Sequence, residues 1–98
     1  SYIITILNDE GKYKEALELC QNAEKLFIKA KASPKNFAIV YNNLGNEWQY
    51  LGSFKNASKY YFKGLKISGK LNNCVFESTF INNLSSLYAK MLDKKNQL

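Results

Sequence analysis

The sequence predicts an all-α fold, a solenoid of antiparallel helical hairpins, and three observations carry that expectation. The chain repeats itself: Asn42-Asn43-Leu44 returns as Asn82-Asn83-Leu84 after 40 positions, with Tyr41 and Ile81 ahead of each tripeptide and Trp48 and Tyr88 behind it. A second register agrees, since Gly11-Lys12-Tyr13 followed by Ala16 returns as Gly52-Ser53-Phe54 followed by Ala57 after 41 positions. Within each unit the apolar residues recur at the three-and-four spacing of one helix face.

The elements follow in order. Ile3, Ile4 and Leu7 mark a first, short helix, and Gly11 supplies its closing turn. Tyr13 to about Lys31 is the second, with Ala16, Leu19, Cys20, Ala23, Leu26 and Phe27 expected inward. Ser33-Pro34 offers a capping hydroxyl and a proline suited to a first helical turn. A third helix then runs from Asn36 to Leu51, with Phe37, Val40, Tyr41, Leu44, Gly45, Trp48 and Leu51 on one face. Gly52 ends it where a left-handed residue is tolerated, and Ser53 is placed to cap the fourth helix, Phe54 to about Gly69, with Ala57, Tyr60, Tyr61, Gly64 and Leu65 inward. A fifth runs from about Cys74 to Leu92 with Phe80, Ile81, Leu84, Leu87, Tyr88 and Met91 inward. The tail from Asp93 to Leu98 lacks the aromatic that would open a sixth. One segment, 1–98, therefore divides into a partial unit 1–32, a full unit 33–72 and a partial unit 73–98. Glycine and alanine positions let paired helices approach closely, and stacking buries stripes that no hairpin can bury alone.

Bulk properties exclude several function classes. At 98 residues the chain is one small domain at most, and no apolar run is long enough for a membrane span. The start shows no basic region before an apolar stretch and no small-residue cleavage site, so no secretory signal is expected. Cys20 and Cys74 stand far apart and histidine is absent, so metal-site spacings cannot be assembled and a reduced, cytoplasmic setting is the simpler reading. The eight carboxylates form no catalytic motif, and there is no phosphate loop or nucleophile motif, so no enzyme activity and no cofactor are expected. The net charge of +6 comes from lysine alone among the bases, and the absence of arginine argues against specific nucleic-acid recognition.

The middle unit reads Tyr41-x2-Leu44-Gly45-x2-Trp48, then Gly52-x-Phe54-x2-Ala57-x3-Tyr61-x2-Gly64-Leu65. It resembles a tetratricopeptide repeat (TPR), whose pattern is W-x2-L-G-x2-Y, then A-x3-F and P. The aromatics are exchanged among themselves, glycine replaces the second alanine, and the terminal proline is missing, as befits longer units of about forty residues. Such units resemble those of kinesin light chains, LGN-type proteins and bacterial peptide-pheromone receptors. The resemblance covers about nine-tenths of the chain and starts and stops inside repeats, so a piece of a longer array is expected.

That resemblance implies a right-handed solenoid in which the first helices of successive units line a concave groove. Carried over position by position, the peptide-binding candidates are Asn42, Asn43, Asn46, Gln49, Asn82, Asn83 and Ser86, with Ile39, Tyr50, Thr79 and Lys90 beside them and Tyr2, Thr5, Asn8 and Asp9 extending the wall. An asparagine amide offers a donor and an acceptor that match a backbone amide, so Asn43 and Asn83 could form rungs holding an extended peptide. The implied function is a protein-interaction scaffold for a peptide or helix of a partner. The alternative is a peptide-sensing regulatory segment of a larger signalling or transcription-regulating protein. Lys55, Lys59 and Lys63 form a basic stripe on the fourth helix, read as a solvated convex face before an anionic contact. Trp48 and Tyr61 are expected in the core, Tyr60 half-buried and Phe62 exposed, and Cys20 buried and inert. The uncovered first and last helices are expected to favour self-association.

Overall fold

A computed structural model describes residues 2–96. Ser1, Gln97 and Leu98 lie outside the described residues, as does the end of the tail in which no further helix is expected. Five helices follow one another: α1 (Tyr2–Asp9), α2 (Tyr13–Ala30), α3 (Pro34–Tyr50), α4 (Phe54–Leu71) and α5 (Cys74–Asn96). Each packs on the next, α3 also touches α5, and no strand occurs among the described residues.

The repeat is written into the backbone bonding. Gly11 N–H donates to Asn8 C=O and Lys12 N–H to Leu7 C=O; 41 residues on, Gly52 donates to Gln49 and Ser53 to Trp48. Both glycines take positive φ, 75° and 85°, the left-handed region in which a side chain is strained. The turns after α2 and α4 match in the same way: Lys31 bonds to Ile28 and Ala32 to Phe27, then Asn72 to Gly69 and Asn73 to Ser68. Here Lys31 and Asn72 themselves adopt φ of 52°, so the left-handed position is filled without glycine.

Helix starts differ from the sequence expectation. Pro34 does open α3, but neither Ser33 nor Ser53 makes a side-chain cap bond. The Ser53 hydroxyl instead accepts from Asn56 Nδ2 at 2.9 Å, and the Ser53 backbone, at φ −92° and ψ 83°, departs from the extended geometry of an N-cap. The side-chain cap is on α5, where Asn73 Oδ1 accepts from Phe76 N–H at 3.0 Å. At its other end α5 runs to Asn96 and not only to Leu92.

α3 is buried on two sides and divides the core. Val40 and Leu44 face Ile4, Ala16, Leu17 and Cys20, whereas Ala38 joins Ala57, Tyr61, Phe80, Leu84 and Leu87. Two close approaches set the spacing. A Cβ on Gly45 would meet the Tyr61 ring inside van der Waals distance, and one on Gly64 would meet the Phe80 ring. Both rings are fully buried. Several residues expected inward are exposed: Leu19 and Leu26 on α2, Leu51 at the end of α3, and Ile81, Tyr88 and Met91 on α5. The three on α5 lie on flanks where no helix follows among the described residues; Leu17 takes the inward place expected of Leu19.

Glycine-to-alanine substitution should separate packing from propensity. In a helix interior alanine gains about 0.5–1 kcal/mol over glycine, and Gly69, with nothing within 4 Å of its added Cβ, should show that gain. At Gly45 and Gly64 the ring has no room to yield, and overpacking of about 1–3 kcal/mol should win. Denaturant midpoints of Gly45→Ala and Gly64→Ala below the parent, with Gly69→Ala above it, check this; three equal shifts would contradict the close packing.

Candidate functional site

Because α3 and α5 carry equivalent tripeptides and touch, their asparagines meet. Asn83 Nδ2 donates to Asn42 Oδ1 at 2.7 Å, a half-buried amide bond that ties the two helices together. Asn82 and Ser86 stand exposed beside it on α5. One N–H of Asn83 is thus engaged by its neighbour, and its carbonyl oxygen and second N–H remain for other contacts.

Asn46 and Gln49 turn toward α4. The Tyr61 hydroxyl lies 2.6 Å from Asn46 Oδ1 and 3.1 Å from Gln49 Oε1. One hydroxyl proton serves the shorter contact; a Gln49 amide turned end for end would donate to the phenol oxygen. These two amides thereby satisfy the polar end of a buried aromatic ring, and burial raises the Tyr61 phenol pKa, so it stays a protonated donor.

Asn43 lies elsewhere, at the edge of an apolar cleft of about 260 Å³ formed where α1, α2 and α3 converge. Ile3 and Ile4 come from α1, Cys20, Ala23 and Phe27 from α2, and Ile39 from α3. Among the described residues lining this cleft, Asn43 alone carries an amide, and the rest are apolar apart from the Cys20 thiol. A site with apolar walls and one orienting amide suits an aliphatic or aromatic side chain of a ligand. Among the sequence-derived candidates, the structure therefore joins Asn42 with Asn83 and Asn46 with Gln49, and sets Asn43 against apolar walls.

Glu47 of α3 is fully buried. Asn8 Nδ2 donates to its Oε2 at 2.9 Å, yet Glu47 Oε1 and Asn8 Oδ1 are both buried without a partner. No lysine pairs with it among the described residues. Burial raises the Glu47 pKa above its ordinary 4.5, against the lowering effect of the Asn8 bond. A protonated carboxyl could donate from Oε1 to Asn8 Oδ1, completing a two-bond ring with the amide. The signal was present in the repeat: Glu47 stands 40 positions before Leu87, a core residue.

The lysine stripe is partly engaged. Lys63 Nζ lies 5.1 Å from the Tyr60 ring centroid and 5.7 Å from that of Tyr41, and Lys59 lies 5.7 Å from Tyr60. Tyr60 is half-buried and Phe62 exposed, as expected. Cys20 is buried and its thiol is pushed up to about 12, chiefly by desolvation and then by the Glu47 carboxylate, while Cys74 is exposed. No helix among the described residues is long and apolar enough to cross a membrane.

Comparison with protein-family models, with curated proteins and with solved structures found no match.

Two measurements probe the buried groups. A carboxyl whose pKa is raised on folding contributes stability that is full below 4.5 and is lost as pH rises through the folded value. Glu47→Gln cannot titrate and can complete both bonds with Asn8, so its unfolding midpoint should exceed the parent's at pH 7 and the gap should close toward pH 4; a pH-independent gap would contradict the buried carboxyl. Thiol titration with a coloured disulfide reagent should count one reactive group, Cys74, in the native chain and two after denaturation; two fast thiols in the native chain would contradict the burial of Cys20.

Proposed function

We propose that this chain is a segment of a TPR array, a right-handed solenoid, that binds a peptide or helix of a partner protein in a groove lined by α1, α3 and α5. One observation carries the reading. Amides of the recurring tripeptides on α3 and α5 are bridged, Asn83 to Asn42 at 2.7 Å, and the next residue of α3, Asn43, edges an apolar cleft. Paired hydrogen-bonding groups next to an apolar pocket are what an extended or helical peptide requires: the amides fix its backbone and the pocket takes a side chain. The 41-residue recurrence of turn hydrogen bonds supports a repeat array independently of side-chain motifs.

The remaining parts of the proposal rest on composition and exposure. Two free thiols accord with a cytoplasmic setting. Ile81, Tyr88 and Leu92 on α5 present apolar surface through which chains would associate. Nothing in the arrangement of the lysines favours nucleic acid over solvent as their partner.

Selection from a peptide display library, comparing the parent with the double variant Asn43→Ala, Asn83→Ala, tests the groove. Each lost hydrogen bond is worth about 0.5–1.5 kcal/mol, so the enriched peptide should bind the double variant about tenfold or more weakly while the circular dichroism is unchanged. Equal binding to both proteins, or no enrichment at all, would remove the groove as the binding site.

A further inference from the structure

Between α1 and α3, Glu47 and Asn8 hold two buried oxygens that need a hydrogen and no hydrogen left to give them. Asn8 Nδ2 already donates to Glu47 Oε2 at 2.9 Å, while Glu47 Oε1 and Asn8 Oδ1 are buried acceptors without a partner. A single proton on Oε1, turned toward Oδ1, supplies the missing donor and closes a ring of two hydrogen bonds between carboxyl and amide. Ionised, Glu47 leaves both oxygens unmatched inside the protein, the costly arrangement for buried polar groups.

The surroundings favour the proton. From α2 the Cys20 thiol and from α4 the Tyr61 phenol feel the Glu47 charge, both raised first by burial and then in part by that charge. Among the described residues no lysine, and no group of α5, acts on Glu47. From α1 comes Asn8, in a last turn that carries no basic residue; Asp9 follows, and Glu10 pairs with Lys12 at 3.5 Å. The carbonyl end of a helix is itself partly negative, so a carboxylate against the end of α1 sets like charge on like. Burial likewise raises the Glu47 pKa, so what the proton contributes is full below 4.5 and is lost as pH rises through the folded value.

This bond lies where α1 meets α3. Among the described residues no Cα of α1 comes within 8 Å of one on α3, so side chains join the two helices: Ile4 in the cluster with Val40 and Leu44, and Asn8 on Glu47. Ile4 stands one turn before Asn8, and Asn43 one turn before Glu47, which sets the cleft edged by Asn43 and walled by Ile4 beside the bond. Glu47 is fully buried, Asn8 half-buried and Asp9 exposed, so water reaches an ionised carboxyl past Asn8. At the α3–α5 junction the equivalent positions are Gln49 and Leu87, neither of which titrates.

We propose that the proton shared by Glu47 and Asn8 is a latch: it seats α1 on α3, and its loss in rising pH lets water displace Asn8 and loosens the α1 wall of the groove. The α3–α5 junction has no such latch and stays closed. Peptide binding then weakens with pH, because apparent affinity falls with the fraction of chains in which α1 is seated. That last step rests on the groove reading; the latch itself does not.

The test is a titration of the intact chain by nuclear magnetic resonance from about pH 4 to about pH 8, following the Glu47 carboxyl carbon, the Asn8 side-chain amide and the Ile4 methyl groups. All three should move in one step with a shared midpoint above 4.5, while the Asn83 amide at the α3–α5 junction stays still. Glu47→Gln, which keeps both hydrogen bonds without titrating, should abolish the Asn8 and Ile4 steps, and Asp9→Asn should leave them. A peptide selected on the groove should lose about tenfold or more in affinity across that midpoint in the parent and none in Glu47→Gln.

Absence of a step, ionisation of Glu47 with Ile4 unmoved, or steps that survive Glu47→Gln would overturn the latch. If α1 titrates and the peptide binds alike on both sides of the midpoint, control of the groove by the latch is overturned. If α1 titrates and no peptide binds at any pH, the groove reading falls and the latch stands. If a peptide binds and nothing in α1 titrates, the latch falls and the groove stands.

Discussion

The structure depends on an aromatic ring seated directly on the backbone of a neighbouring helix. Tyr61 of α4 lies on Gly45 of α3, and Phe80 of α5 lies on Gly64 of α4. The first contact closes a hairpin and the second joins that hairpin to the next, so the same device serves inside a unit and between units. Truncating a buried aromatic ring costs about 3–5 kcal/mol, against a total stability of about 5–15 kcal/mol for a domain. Two such rings therefore account for much of what holds a chain of this size together. Beside these contacts the half-buried polar groups pair with one another: Tyr61 with Asn46 and Gln49, and Asn42 with Asn83.

Departures from the repeat are where the chemistry lies. Glu47 stands where the next unit has buried Leu87, and it places a carboxyl beside Asn8 with one acceptor on each side unmatched. Ala23 and Val40 stand where the next unit has Gly64 and Phe80, and the ring-on-glycine contact is replaced by an apolar cleft edged by Asn43. A strict repeat would bury apolar surface at both places. The first exception sets a carboxyl whose pKa is raised by burial against Asn8 of α1, and the second leaves an apolar cleft where α1, α2 and α3 converge.

Much of this was legible in the sequence, and the failures have physical reasons. Two independent spacings and the apolar rhythm give all five helices, and Gly11, Gly52 and Pro34 stand where their backbone geometry is needed. Caps were less legible, because Ser33 and Ser53 have the right side chain but the hydrogen bond depends on competing partners such as Asn56. The inward lists failed on α5 and on Leu19 and Leu26, since periodicity marks an apolar stripe without saying whether a neighbour covers its whole width. For the site, residue type and register pointed to the asparagines of α3 and α5. That Asn83 reaches Asn42, and that Asn43 faces apolar walls, follows from the crossing of helices and not from either helix alone.

The groove is tested most directly by the side-chain amide resonances of the asparagines in a nitrogen-15 labelled chain titrated with a selected peptide. The expected result is a saturable shift of the Asn42, Asn43 and Asn83 amide pairs, with the backbone of Lys55, Lys59 and Lys63 on α4 unmoved. Shifts centred on those lysines, with the asparagine amides unchanged, would place binding on the opposite face and contradict a groove built from α1, α3 and α5.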